Sequence, residues 1–213
     1  MLRIPAFILL LGLSLSACQD RVEVPVTDRY PWQINLLSNG HTRIFGVELE
    51  HTRVNEAIAQ LGRRYKLALF ENPDGGLSLE VYYADFTRSG LSGRLVLSID
   101  ADDKELQHYK QTAMGKEKLL SGVVQYTLSE QSARQIDRLI VQSMTYLPYA
   151  DLKTEIVVAR FGEPAEKIRS HAKAEHWLYP DKGLDMILTE EGRDVLQYVM
   201  PARFKAFTKP LRR

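Results

Sequence analysis

YKLALFENPDGGLSLEVYYADF, residues 65–86, alternates apolar and polar side chains on both sides of Pro73-Asp74-Gly75-Gly76. Alternation with a period of two fits a strand with one buried face, and a Pro-Asp-Gly-Gly cluster fits a turn. The stretch reads as strand, turn, strand. Residues 91–99, LSGRLVLSI, add another strand after a short break. Just upstream, HTRVNEAIAQLG places Val54, Ala57, Ile58 and Leu61 at helical spacing. Thr52 is the N-cap candidate, and Gly62 stands where a helix would stop. A helix followed by a meander of strands gives an α+β class, with antiparallel sheets and helices packed on one face.

Other segments extend the pattern. PWQINLLSNGHTRIFGVEL, residues 31–49, has two apolar runs around Asn39-Gly40, a pair that tolerates positive φ and favours a hairpin. Asp100, Asp102 and Asp103 suit the first turn of a short helix, where acidic groups complement the helix dipole. SGVVQYTL, residues 121–128, predicts a strand. Ser129 then caps a predicted helix over 130–144, with Ala133, Ile136, Leu139, Ile140 and Met144 on one apolar face. Pro148 separates it from a second predicted helix, Tyr149 to Phe161.

The two halves echo one another. VNEAIAQLG and LKTEIVVARFG are short amphipathic helices closed by Gly62 and Gly162. Strand-like runs with aromatic clusters follow each, Tyr82-Tyr83 in the first and Trp177 with Tyr179 in the second. A duplicated helix-plus-meander is one reading; chance recurrence of a common α+β pattern is the other. The division this implies is a signal segment over 1–17, a tether over 18–31, a first α+β lobe over 32–128 and a second over 129–213.

The amino end supplies an address. Residues 1–17 carry one charge, Arg3, and an apolar run from Ile4 to Leu15, with Ser16 and Ala17 before Cys18. A basic start, a short apolar run and small residues describe an export signal. The run is short for a transmembrane helix. Cys18 is the only cysteine, so no intramolecular disulfide can form. Leu15-Ser16-Ala17-Cys18 resembles the lipobox of bacterial lipoproteins. The resemblance implies a signal peptide removed at Cys18 and a cysteine carrying diacylglycerol and an N-acyl chain such as palmitate. Several chains anchor durably where one binds reversibly. Gln19 after the cysteine resembles outer-membrane sorting, facing the periplasm; Asp20 one step later keeps inner-membrane retention as the alternative. Removing Arg3 from 28 basic residues leaves 27 against 27 acidic ones, a formal net charge of zero. That balance argues against a general nucleic-acid binder.

The segment RFGEPAEKIRSHAKAEHWLYPDKGLDMILTEEGRDVLQYVMP resembles the SmpA/OmlA family of small outer-membrane lipoproteins, some of which belong to the β-barrel assembly machinery. The shared pattern is a helix ending in Gly162-Glu163-Pro164, an aromatic strand ending in Trp177-Leu178-Tyr179-Pro180, a turn at Gly183 and two further strands. The resemblance implies a fold for this part and an envelope setting. The chain is about twice the family's usual length.

Each motif with catalytic or metal-binding potential is incomplete. His171 and His176 stand five apart in a region read as loop entering strand, the wrong spacing for a zincin helix, and read as surface histidines. Ser170-His171-Ala172-Lys173 matches S-x-x-K but lacks the S-x-N and K-T-G partners of penicillin-binding enzymes. Gly90 to Arg94 falls one residue short of a nucleophile elbow. Asp100, Asp102 and Asp103 lack the glycine of a calcium loop. No catalytic residue, metal site or cofactor is assigned. RFKAFTKPLRR at the carboxyl end carries five basic residues and two Phe, and reads as a solvated terminus or as a surface for anionic head groups or a partner. The function expected is a non-catalytic, membrane-anchored binding or assembly module of the cell envelope, held by Cys18 and recognising another envelope protein. The alternatives are an envelope enzyme acting on peptidoglycan or lipid, or an inhibitor or carrier of a small envelope ligand.

Overall fold

The computed structural model describes residues 28–170 and 173–212. Three short strands come first: β1 (Asn35–Leu36), β2 (Thr42–Ile44) and β3 (Val47–Glu48). Helix α1 (Val54–Leu61) leads into the long meander β4 (Lys66–Glu71), β5 (Leu77–Arg88) and β6 (Leu91–Asp100). Helix α2 (Asp103–Gln111), the hairpin β7 (Gly115–Lys118) and β8 (Val124–Thr127), and helix α3 (Glu130–Ile136) precede β9 (Ile140–Pro148). Helix α4 (Thr154–Phe161) opens a second meander of β10 (Glu166–Arg169), β11 (Ala174–Tyr179), β12 (Leu184–Thr189) and β13 (Val195–Tyr198), and α5 (Pro201–Phe207) follows. The fold is α+β, with a small three-stranded sheet and a ten-stranded antiparallel sheet.

The large sheet runs β10-β11-β12-β13-β9-β6-β5-β4-β8-β7. The first meander builds inward to β6 and the second inward to β13, and β9 pairs with both. The predicted division at residue 129 therefore marks no break in the sheet. Side chains opposite one another form rows across it. Trp177, Met186, Leu196, Tyr146, Leu95 and Tyr83 make one row, all buried. Such cross-strand neighbours are the packing unit of a sheet. These residues, with Phe45, Val54 and Ile58 from the amino-terminal segment, belong to one main hydrophobic cluster that spans both halves.

The largest departure from the sequence reading is β9. The helix expected over 130–144 stops at Ile136, and Ile140 onward is the strand at the junction of the two meanders. Val141, Met144, Tyr146 and Pro148 are its buried residues, and a register shift at Ser98/Ile99 reconciles their uneven spacing with one face. Apolar residues at 136, 139, 140 and 144 also fit a helix, so periodicity alone could not separate the two. The second helix starts at Thr154 rather than Tyr149.

Gly62 and Gly162 both cap their helices with positive φ, +107° and +80°. Tyr82 and Tyr179 both lie on the second strand of their meanders. In α4 Val157 and Phe161 are buried, whereas Ile156 is 51% exposed. Thr52 does not cap α1 through its side chain; its hydroxyl oxygen accepts from the Glu48 amide at 2.9 Å. Asp102 does cap α2, accepting from the Glu105 amide at 2.8 Å.

Residues before Trp32 also belong to the fold. Asp28 is fully buried and forms an ion pair with Arg43 at 3.0 Å. Tyr30 stacks on Trp32, and the Tyr198 hydroxyl donates to the Pro31 carbonyl at 2.9 Å. Residues 28–31, expected to be tether, are docked.

Candidate functional site

The carboxyl-terminal segment is folded onto the sheet. Pro201 opens α5, where its missing N–H costs nothing, and a 3-10 turn at Lys209–Arg212 follows. Phe204 and Thr208 are buried, and Phe204 packs with Leu178 and Val199 in a second cluster on the opposite side of the large sheet from the main core. By register, Leu178 stands opposite Glu166 and Asp185, on the face that β11 turns away from Trp177 and Tyr179. Helices α1 and α4 feed the main cluster, and α5 covers part of the other face. The tail read as a frayed terminus is a packed element.

Between α5 and the β10–β11 edge lies a cleft of about 980 Å³. Leu178, Pro180, Pro201 and Phe204 make its walls predominantly apolar. Lys205, Lys209 and Arg212 line it as exposed cations, and Arg212 pairs with Glu166 across it. An apolar floor with a basic margin can take an apolar side chain or chain that carries nearby negative charge. It presents no converging acid, base and nucleophile.

Gly183 fixes one wall. It closes the 3-10 turn Pro180–Lys182 with φ +63°, and a Cβ there would collide with the Val199 carbonyl oxygen. Only glycine meets both demands. The turn carries Pro180 to the cleft wall and starts β12.

On the same sheet face His176 and Asp185 form a buried pair. His176 is 8% exposed and Asp185 2%. The His176 Nδ1 lies 2.9 and 3.0 Å from the two carboxylate oxygens. Burial pushes the Asp185 carboxyl above its usual range, and the hydrogen bond from His176 pulls the other way. This corrects the surface assignment of His176. Position 176 carries a polar residue between Glu175 and Trp177, so alternation did not mark it as buried. No hydroxyl or thiol among the described residues hydrogen-bonds the imidazole, so the pair has no nucleophile to activate.

The remaining sequence candidates fall in turns or outside the described residues. Cys18 and His171 lie outside them. The Ser170 hydroxyl donates to the Ala174 carbonyl at 3.1 Å. Lys173 has a positive φ of 54° in the β10–β11 turn, and its ammonium reaches Glu191 at 3.2 Å. Ser170 and Lys173 are thus turn residues on exposed or half-exposed backbone. Ser89 and Gly90, both at positive φ, form the β5–β6 turn, so Gly90–Arg94 is a hairpin and not a strand-to-helix elbow. No described helix is long and apolar enough to cross a membrane.

A third grouping escaped the sequence reading. His41, Glu48 and His51 bring their ligand atoms within 4.8 Å of one another at one end of the small sheet. The spacing H-x6-E-x2-H is uninformative until the β2–β3 turn folds His41 back on Glu48. No protein-family model, curated protein or solved structure matches the chain.

Proposed function

We propose that the protein is a membrane-anchored, periplasm-facing lipoprotein of the bacterial envelope, a non-catalytic module that binds an envelope protein partner through the α5 cleft. The observation that carries the reading is the lipobox-like Leu15-Ser16-Ala17-Cys18, ten residues before the buried Asp28 where the described fold begins. An extended chain between Cys18 and Asp28 reaches at most about 35 Å, so a lipidated Cys18 would hold the fold close to a bilayer. Outer-membrane placement rests on Gln19.

The resemblance to SmpA/OmlA supports the envelope setting. Its motif residues have physical jobs here: Gly162 ends α4, Pro164 precedes β10, and Gly183 makes the close turn before β12. The cleft supports binding over catalysis. Its walls are apolar and its charges sit at the margin, as in a protein-docking surface with an anionic complement.

A photo-crosslinking amino acid at Ala202, an exposed cleft residue, tests this in cells. The expected result is a discrete adduct with an envelope protein, lost when Lys205 and Lys209 are both reversed to Glu. No adduct at Ala202, or the same adduct from Glu117, exposed on β7 at the opposite edge of the large sheet, would count against the cleft as the binding surface.

A further inference from the structure

We infer that His41, Glu48 and His51 form a binding site for a single Zn²⁺ ion. The three residues come from separate pieces of backbone that the fold holds together. His41 immediately precedes β2, Glu48 ends β3, and His51 lies in the turn before α1. The β2–β3 connection is a two-residue turn, Phe45-Gly46, with φ of 52° and 84°, which folds one strand tightly on the other. The next turn is equally fixed. Thr52 N–H donates to the Glu48 carbonyl at 2.9 Å, and Glu50 sits at φ 59° with its amide donating to the Val141 carbonyl at 2.8 Å. This returns His51 to the Glu48 side chain.

Two features point to a cation rather than to a surface cluster. First, His41 Nδ1 stands 2.9 Å from Glu48 Oε1, yet that nitrogen is buried and makes no hydrogen bond. The nitrogen and the carboxylate are close without being aimed along a shared N–H···O line, as expected of two groups that share a third centre. Second, Glu48 is spared a competing cation. Arg43, its neighbour in register on β2, is committed to Asp28. Asn39 steadies the pair: its side-chain oxygen accepts from the His41 amide and its side-chain nitrogen donates to Glu48 Oε1, both at 3.0 Å. Partners of this outer kind orient metal ligands.

Two imidazoles and one carboxylate are a zinc donor set, and three protein ligands leave a fourth position for water. Metal–ligand bonds of about 2.0–2.2 Å in a tetrahedron place donor atoms roughly 3.3 Å apart. The observed separations, from 2.9 Å up to the 4.8 Å limit, straddle that value. Closing the site needs rotation of His51, whose side chain is exposed. The bound ion would tie the small sheet to the turn that starts α1.

The test uses the full chain in detergent, with any affinity tag removed and metal stripped by chelator, titrated with ZnCl₂ by calorimetry. One equivalent should bind in wild type. His41→Ala and His51→Ala should each weaken binding at least tenfold, and Asn39→Ala about tenfold, while His108→Ala changes nothing. Co²⁺ in place of Zn²⁺ should give the intense visible bands of a four-coordinate site, absent in His51→Ala. Circular dichroism checks that His51→Ala, an exposed position, stays folded. No one-to-one binding by wild type, or equal binding by a folded His41→Ala/His51→Ala double variant, overturns the site.

Discussion

Leu95 and Tyr146 stand directly opposite one another on β6 and β9, and on its other side Tyr146 faces Leu196 of β13. One side chain thus touches both meanders. Its ring also packs edge-on against Phe45 and Phe86, with centroids 5.7 and 6.2 Å away. Removing it opens a cavity where the two halves meet. Tyr146→Ala should cost about 3 kcal/mol or more. Because the core is shared, urea unfolding followed by near-UV and far-UV circular dichroism should keep one coincident transition in the variant. Two separated transitions would mean that the halves unfold as independent units.

Two glycines at positive φ should respond differently to alanine. A Cβ added to Gly62, at φ +107°, would meet nothing within 4 Å, so Gly62→Ala carries only the backbone penalty, about 1 kcal/mol. Gly183 at φ +63° adds a collision with the Val199 carbonyl. Gly183→Ala should therefore cost about 2 kcal/mol more than Gly62→Ala, read as the difference in urea midpoints at constant slope. Equal losses would show that the β12 turn can move aside.

How much of this was legible depended on local signals. The β4–β5–β6 meander could be read because strict alternation and a Pro-Asp-Gly-Gly turn agree. Ser129 as a cap and the two helix-ending glycines were readable for the same reason. The junction strand β9 was not, since Ile136, Leu139, Ile140 and Met144 satisfy a helical stripe, and only pairing with β6 and β13 makes the segment a strand. The α5 cleft was not legible, because a seven-residue amphipathic tail has no local signal for the face it will cover, and His176 is a polar residue on the strand face opposite Trp177. The His41–Glu48–His51 grouping depends on two turns at positive φ, Phe45-Gly46 and Glu50, which residue types other than glycine do not announce.

The anchor prediction is chemical. In wild-type cells Cys18 should take up labelled palmitate and the chain should fractionate with membranes. Cys18→Ala should lose the label and either remain as an uncut precursor or appear in the soluble fraction, because the acyl chains supply the membrane affinity. Equal labelling of both proteins would end the lipoprotein reading while leaving the fold and the α5 cleft untouched.

The buried pair separates a structural histidine from a catalytic one. His176→Ala removes the hydrogen bond and charge that stabilise ionised Asp185, leaving a carboxylate 2% exposed with its neighbour gone. Breaking one side of such a pair costs about 3–5 kcal/mol. The pH dependence follows from the direction of the Asp185 shift. Burial raises its folded pKa above the ordinary 3.8, so protonation favours the native state. That stabilisation is full below the unfolded value and is lost as pH rises through the folded one. In His176→Ala the opposing pull of histidine is absent and the folded pKa rises further. The deficit relative to wild type should be largest near pH 7 and shrink toward about pH 4. Asp185→Asn in the same background should recover part of the loss at neutral pH, since the amide carries no charge to bury. Any envelope phenotype of His176→Ala should be rescued by that second change. A phenotype that persists when stability is restored would point to chemistry at the imidazole, and would favour the enzyme alternative over a binding module.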